Sequence, residues 1–135
     1  MKVSFVAGFG PIVRDMEAST RFYTDAFGIA LEGDESYRHT DKLDGVRAFS
    51  LWPLREAAKS CFGSDEWPDD VPMPQAWLEF DVESADAVHD AARELEGRGH
   101  RLLAPAKTEE WGQTVVHLLS PEGLLLGVSY TPWMH

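Results

Sequence analysis

"QAWLEFDVESADAVHDAARELEGRG", residues 75–99, is the stretch whose reading decides the fold. Its first eight residues alternate. Ala76, Leu78, Phe80 and Val82 point one way, and Gln75, Trp77, Glu79 and Asp81 the other, which is the two-residue period of a strand. Ser84 then stands where a helix N-cap belongs. Behind it, Ala87/Val88, Ala91/Ala92 and Leu95 form an apolar stripe at helical spacing. Gly97 and Gly99 close that helix. Three more strands follow in "HRLLAPAK" (100–107), "TVVHLLS" (114–120) and "LLLGVSY" (124–130).

The same order of elements precedes this stretch. "VSFVAGFG" (3–10) is β-prone, and Gly10-Pro11 punctuates its end. Asp15 is a helix N-cap candidate, Met16, Ser19, Tyr23 and Phe27 share a helical face with Phe22 and Ala26, and Gly28 is a C-terminal stop. Residues 29–33 read as a short strand. "SYRHTD" and "VRAFSLW" flank "KLDG", whose Asp-Gly pair signals a hairpin. The chain therefore reads as strand, helix and three strands, twice over. Neither unit alone buries a core, so the two sheets must combine.

Between the units, "PLREAAKSCFG" has the makings of a short helix, and "SDEWPDDVPMP" is too rich in acid and proline for regular structure. This span is expected to be a linker or flap covering part of the surface. Trp67 within it is either a lid residue or loop filler. The expected layout is module one over about 1–53, the flap over about 54–74 and module two over about 75–135.

Composition narrows the function classes. The chain has 135 residues, 44% of them hydrophobic, which suits one globular domain. No apolar run is long enough to span a bilayer, and the N-terminus turns polar too soon for a secretory signal. Cys61 is the only cysteine, so no intrachain disulfide can form, as fits a cytoplasmic location. A net charge of −11 disfavours nucleic acid and anionic membranes. It serves solubility or the steering of a cationic guest. Nucleotide-binding, nucleophile-elbow and paired-cysteine motifs are absent.

The polar side of residues 75–82 is too aromatic for plain solvent and too polar for a core. It reads as the lining of a concave pocket, or as an exposed sheet face with one tryptophan. The apolar side must then face the helices. Trp52, Trp77 and Trp111 come from three strands or strand entrances. Together they would make an aromatic box for a planar or cationic guest, unless one or more belongs to the core or to an interface. His117 shares a face with Val115 and Leu119. It is either a proton carrier or a histidine bonded within a strand pair. His39 lies in the third strand. Neither histidine has an obvious carboxylate partner in sequence, Glu79 being a candidate for nearness to either in space, and Cys61 has no evident activating base.

"VRDMEASTRFYTDAFGI" (13–29) and "WGQTVVHLLSPEGLLL" (111–126) resemble the first helix and the late strand-turn-strand of the vicinal oxygen chelate superfamily, the glyoxalase, bleomycin-resistance and dioxygenase proteins. The resemblance spans nearly the whole chain outside the flap and is nearest in pattern to the bleomycin-resistance members. It implies an α+β fold of two βαβββ modules forming a curved mixed β-sheet cup with helices on its outer face. It also implies that metal-using members place ligands in four slots, which fall here on Gly8, Ser50, Gln75 and Gly127. Two glycines, a serine and an amide are a poor donor set for a divalent ion, so no metal and no cofactor is expected. A glycine within a strand permits close approach of something else.

The function so implied is a metal-free small-molecule binding protein, a homodimer with two equivalent cups. It would sequester an aromatic or cationic compound such as an antibiotic, with Trp52, Gln75, Trp77, Glu79, Trp111, His117 and Gly127 lining the site. The alternative is a lyase or dioxygenase with displaced metal ligands, or acid–base catalysis by His117 and Glu79. Nucleic acid and membrane are not expected partners.

Overall fold

The computed structural model describes residues 1–135. Eight strands run in the order β1 (Phe5–Val13), β2 (Glu32–Asp34), β3 (Tyr37–Thr40), β4 (Ala48–Pro53), β5 (Ala76–Asp81), β6 (Lys107–Thr108), β7 (Thr114–Leu119) and β8 (Leu125–Tyr130). Helix α1 (Met16–Phe27) follows β1, α2 (Leu54–Phe62) follows β4 and α3 (Ala85–Gly97) follows β5. A short 3₁₀ turn, Pro132–Met134, ends the chain.

The helix signals act as the sequence predicts. The Asp15 side chain accepts from the Ala18 amide, and that of Ser84 accepts from Ala87. Both therefore satisfy one of the donors that a helix start leaves open. Gly28 ends α1 with φ 68°, a left-handed conformation that any other residue would adopt at a cost.

All strands join one open mixed sheet in the order β2-β3-β4-β1-β5-β8-β7-β6. The two modules meet within the chain, where β1 pairs antiparallel with β5. "HRLLAPAK" is strand only at its end. Leu102 makes an isolated bridge to Leu118, and β6 is two residues long, because Pro105 cannot donate to a ladder.

The registers sort side chains to two faces. Gly8 lies opposite Glu79 and Gly10 opposite Trp77; Ile12 lies opposite Trp52. Glu79 lies opposite Gly127, and Gly127 opposite His117. These residues share the concave face. The outer face is covered near its ends. Met16 of α1 packs on Val13, Phe49 and Leu51, and Val88, Ala91 and Ala92 of α3 pack with Val82, Val116 and Val128.

Two expectations about β5 need correction. Its Ala76–Leu78–Phe80 side is not sealed by helices: Leu78 and Phe80 stay half-buried, and neighbouring Phe9 is 47% exposed. The Trp77–Glu79–Asp81 side is the buried one. The reason is α2, which lies across the concave face. Ala57, Ala58 and Cys61 pack with Ile12, Trp67, Val71, Trp77 and Leu125 in a single cluster. Residues 54–74 are therefore a plug in the cup rather than a cover on the surface. The acids Asp65, Glu66, Asp69 and Asp70 sit outside, while Pro74 is fully buried and Trp67, 7% exposed, donates from its indole to the carbonyls of Val71 and Pro72. The Trp67 ring meets Phe62 edge-on.

Candidate functional site in the cup

The centre of the concave face is Glu79, on β5. Its Oε1 accepts from Gln113 Nε2 at 2.8 Å, and Gln113 is steadied in turn by Thr131 Oγ1 at 3.0 Å. The Trp111 indole donates to Gln113 Oε1 at 3.1 Å. On the other side, Glu79 Oε2 faces His117 Nε2 at 3.9 Å. That nitrogen is buried and has no hydrogen-bond partner. Cys61, on α2, packs above this face with Trp77 and Leu125.

The electrostatics follow from these neighbours. Burial opposes a charge on His117, but its interactions with Cys61 and Glu79 outweigh that and hold the imidazole up from 6.5 to about 10. His117 is therefore an imidazolium at neutral pH. Tyr37 turns its hydroxyl inward to Ser50 Oγ at 2.6 Å. Burial is the main reason that its phenol is pushed up to about 12.

Aromatic walls flank this group. Trp52 and Trp77 meet edge-on at 6.1 Å between centroids, and Trp52 lies 5.8 Å from the His117 ring. Trp77 is fixed by its indole, which donates to the Ser50 carbonyl at 3.1 Å. Of the seven residues read from the sequence as lining, Trp52, Trp77, Glu79, His117 and Gly127 converge here. Two do not. Trp111 is 55% exposed, on the turn before β7, and touches the site only through Gln113. Gln75 is exposed at the mouth of β5 and borders a separate outer hollow of about 420 Å³ beside Arg14 and Phe22. His39 lies opposite Ser50 on β3 and stacks near Tyr37, away from Glu79.

The slots expected from the resemblance can be located in the sheet. Gly8 lies opposite Glu79 on β5, and Gly127 lies beside Glu79 on its other side. Gln75 stands at the start of β5, where its carbonyl accepts from the Ile12 amide at 2.9 Å. Ser50 shares the concave face but is fully buried and bonded to Tyr37.

The slots do not fit a metal. A Cβ at Gly8 would lie 2.5 Å from Trp77 Cη2, and one at Gly127 would lie 2.6 Å from Glu79 Cγ. Neighbouring side chains fill the space that ligands would need. No three His, Cys, Asp or Glu residues converge to hold an ion.

Two members of the site escaped the sequence reading. Gln113 stands in the quoted "WGQ" segment, but only the fold brings it under Glu79. Cys61 reaches the concave face only because α2 lies across it. No helix is long and apolar enough to cross a membrane.

Comparison with known proteins agrees with the architecture. Similar solved structures include one described as an NAD-dependent benzaldehyde dehydrogenase from Legionella pneumophila, with TM-score 0.66 and 15% identity over 91% of this chain and 96% of that one. A superfamily member from Vibrio splendidus 12B01 gives TM-score 0.58 and 16% identity over 96% and 100%. A variant of methylmalonyl-CoA epimerase from Streptomyces coelicolor gives TM-score 0.55 and 16% identity over 97% and 96%. At these identities the likeness is one of fold. No curated protein matches the sequence. The model of one family matches residues 9–128, and the chain belongs to that family, the Glyoxalase/Bleomycin resistance protein/Dioxygenase superfamily.

Proposed function

We propose that the protein is a metal-free small-molecule binding protein that sequesters a planar aromatic compound, such as an antibiotic, in its cup. The observation that carries this reading is the pairing of Trp52 with Trp77 beside glycines at two of the four ligand slots. Flat apolar walls around a few fixed polar groups suit recognition of an aromatic body. Glu79 and His117 oppose each other's charge, so any preference for a cation comes mainly from the chain's net −11. In the closed form, α2 occupies the concave face, and a guest enters by displacing it.

The test is a fluorescence screen of basic and neutral planar aromatics. Quenching that is lost in Trp52→Ala and kept in Trp111→Ala supports the cup. Failure of every compound to quench the wild type removes the reading.

A second reading is acid–base catalysis by His117 and Glu79, favoured by their 3.9 Å approach in apolar surroundings. His117 would hold the proton and Glu79 would receive one. Exchange of an activated C–H into deuterated water, lost in Glu79→Gln, would choose this reading over sequestration.

The protein is also proposed to pair as a homodimer with two equivalent cups. Phe9 on the outer sheet face and Phe22 on α1 are 47% and 56% exposed, and a second copy would cover them. A monomer by light scattering at micromolar concentration refutes this part.

A further inference from the structure

Glu79 and His117 face each other without bonding. Nε2 of His117 lies 3.9 Å from Glu79 Oε2, beyond the reach of about 2.7–2.9 Å for a charge-assisted N–H···O bond. That nitrogen is buried and has no hydrogen-bond partner, in a residue only 5% exposed. A buried donor left unpaired is costly, so the gap needs a physical reason.

The strand order supplies it. β8 runs between β5 and β7, and Gly127 lies beside Glu79 on one side and opposite His117 on the other. The two side chains therefore approach over a residue that has none. Gln113 Nε2 takes Glu79 Oε1 at 2.8 Å, and Gln113 is itself bonded to Thr131 and Trp111. Glu79 is thus held short of the histidine, with Oε2 facing it. The His117 ring is backed by Trp52, 5.8 Å away between centroids.

We propose that the guest of the cup is an uncharged aromatic bearing a hydroxyl, a phenol, whose oxygen accepts from His117 Nε2 and whose O–H donates to Glu79 Oε2. It rests on the sequestration reading and names the polar group which that reading leaves open. An oxygen about 2.8 Å from each partner sees the two atoms at nearly a right angle. A hydroxyl is the smallest group that accepts and donates at one atom. Other groups serve one side only. An ether or a carbonyl leaves Glu79 unpaired, an ammonium leaves His117 unpaired, and a carboxylate sets a second negative charge beside Glu79. His117 is able to donate from Nε2 at neutral pH because its interactions with Cys61 and Glu79 keep it protonated up to about 10. Trp52 and Trp77, edge-on to each other at 6.1 Å, give the ring its aromatic wall.

Three ligands test it: phenol, toluene, which carries a methyl in place of the hydroxyl, and anisole, in which methylation removes the donated hydrogen. A ¹H–¹⁵N NMR titration at neutral pH reads binding in the cup from the Trp52 and Trp77 indole signals. We expect phenol to bind the wild type at least about tenfold tighter than either analogue, as suits hydrogen bonds to buried charged groups. Toluene is the more apolar compound, so burial alone would rank the two the other way. His117→Phe and Glu79→Ala should each abolish the preference while toluene still binds. A smaller margin in the wild type overturns the proposal, because the pair is then satisfied without the guest. The wild-type series decides even if a variant fails to fold. Equal shifts of the indoles by all three ligands would refute the hydroxyl and leave sequestration standing. No indole shift with any of them at millimolar concentration also overturns the proposal, and the quenching screen then decides sequestration independently.

Discussion

The Cγ atom of Glu79 lies 2.6 Å from where a Cβ on residue 127 would be, so Gly127 is glycine because Glu79 crosses it. Gly8 stands in the same relation to Trp77, at 2.5 Å. At both glycines the space a side chain would need is taken by a side chain of the next strand. Three glycines rank by what blocks them. Gly10→Ala meets the Ser50 carbonyl at 1.8 Å, which is backbone and cannot yield. It should cost more than the 1–3 kcal/mol typical of overpacking, taken as about 3 kcal/mol or more. Gly8→Ala presses on a tryptophan held by its own hydrogen bond and should cost about 1–3 kcal/mol. Gly127→Ala meets an unbranched, more flexible side chain and should cost least. Urea unfolding of the three variants checks the order.

The pH dependence of stability should carry the signature of His117. Its folded pKa is raised from 6.5 to about 10. A raised value means that the charged form is favoured by folding, so the stabilisation is complete below about pH 6.5 and is lost as pH climbs through about 10. The difference between wild type and His117→Gln should therefore shrink over that window. Urea midpoints at pH 6, 8 and 10 measure it, and a constant difference would show that the imidazole is neutral throughout.

Asp81 anchors the end of the chain. It is fully buried, and it accepts from Ser129 Oγ at 2.9 Å, from Thr131 Oγ1 at 2.9 Å and from the Thr131 amide at 3.1 Å, with His135 Nε2 at 2.5 Å. Asp81→Ala leaves these buried donors unpaired and should cost about 3 kcal/mol or more. His135→Ala removes one partner of a carboxylate that keeps three others, and should cost about 1 kcal/mol. Thermal unfolding separates the two.

Metal affinity gives a fourth expectation. Calorimetry with Ni²⁺ or Zn²⁺ should find no site of micromolar affinity or better in the wild type. Placing Gly8→His, Gln75→His and Gly127→Glu together should create little affinity unless Trp77 and Glu79 are also trimmed, because both lie over the slots. Tight native binding would mean that other residues ligate.

Local signals carried most of the fold. Asp15, Ser84 and Gly28 act as caps because capping depends on neighbours within four residues, and the β5 alternation is a property of the strand itself. What the sequence hid was which face of that strand is dry. Alternation separates Trp77 and Glu79 from Leu78 and Phe80, but burial depends on what packs above. The "REAAKSCF" helix covers the more polar side, reversing the simple rule. The site divided in the same way. His117 and Glu79 were legible because both lie on strands of known facing. Trp111 was misplaced because it stands on a turn, where no periodicity fixes direction. Cys61 met Trp77 and Leu125 only through a helix crossing the sheet, a relation that no spacing encodes.

The central claim is that a planar aromatic guest enters the cup by displacing α2. A ¹H–¹⁵N NMR titration with proflavine, a planar cation, tests it most directly. The account predicts shifts in the Trp52 and Trp77 indole signals, in the Gly127 and His117 amides and along α2 from Ala57 to Phe62. Shifts confined to the outer hollow around Arg14, Phe22 and Gln75, or none at all with millimolar dye, would contradict it.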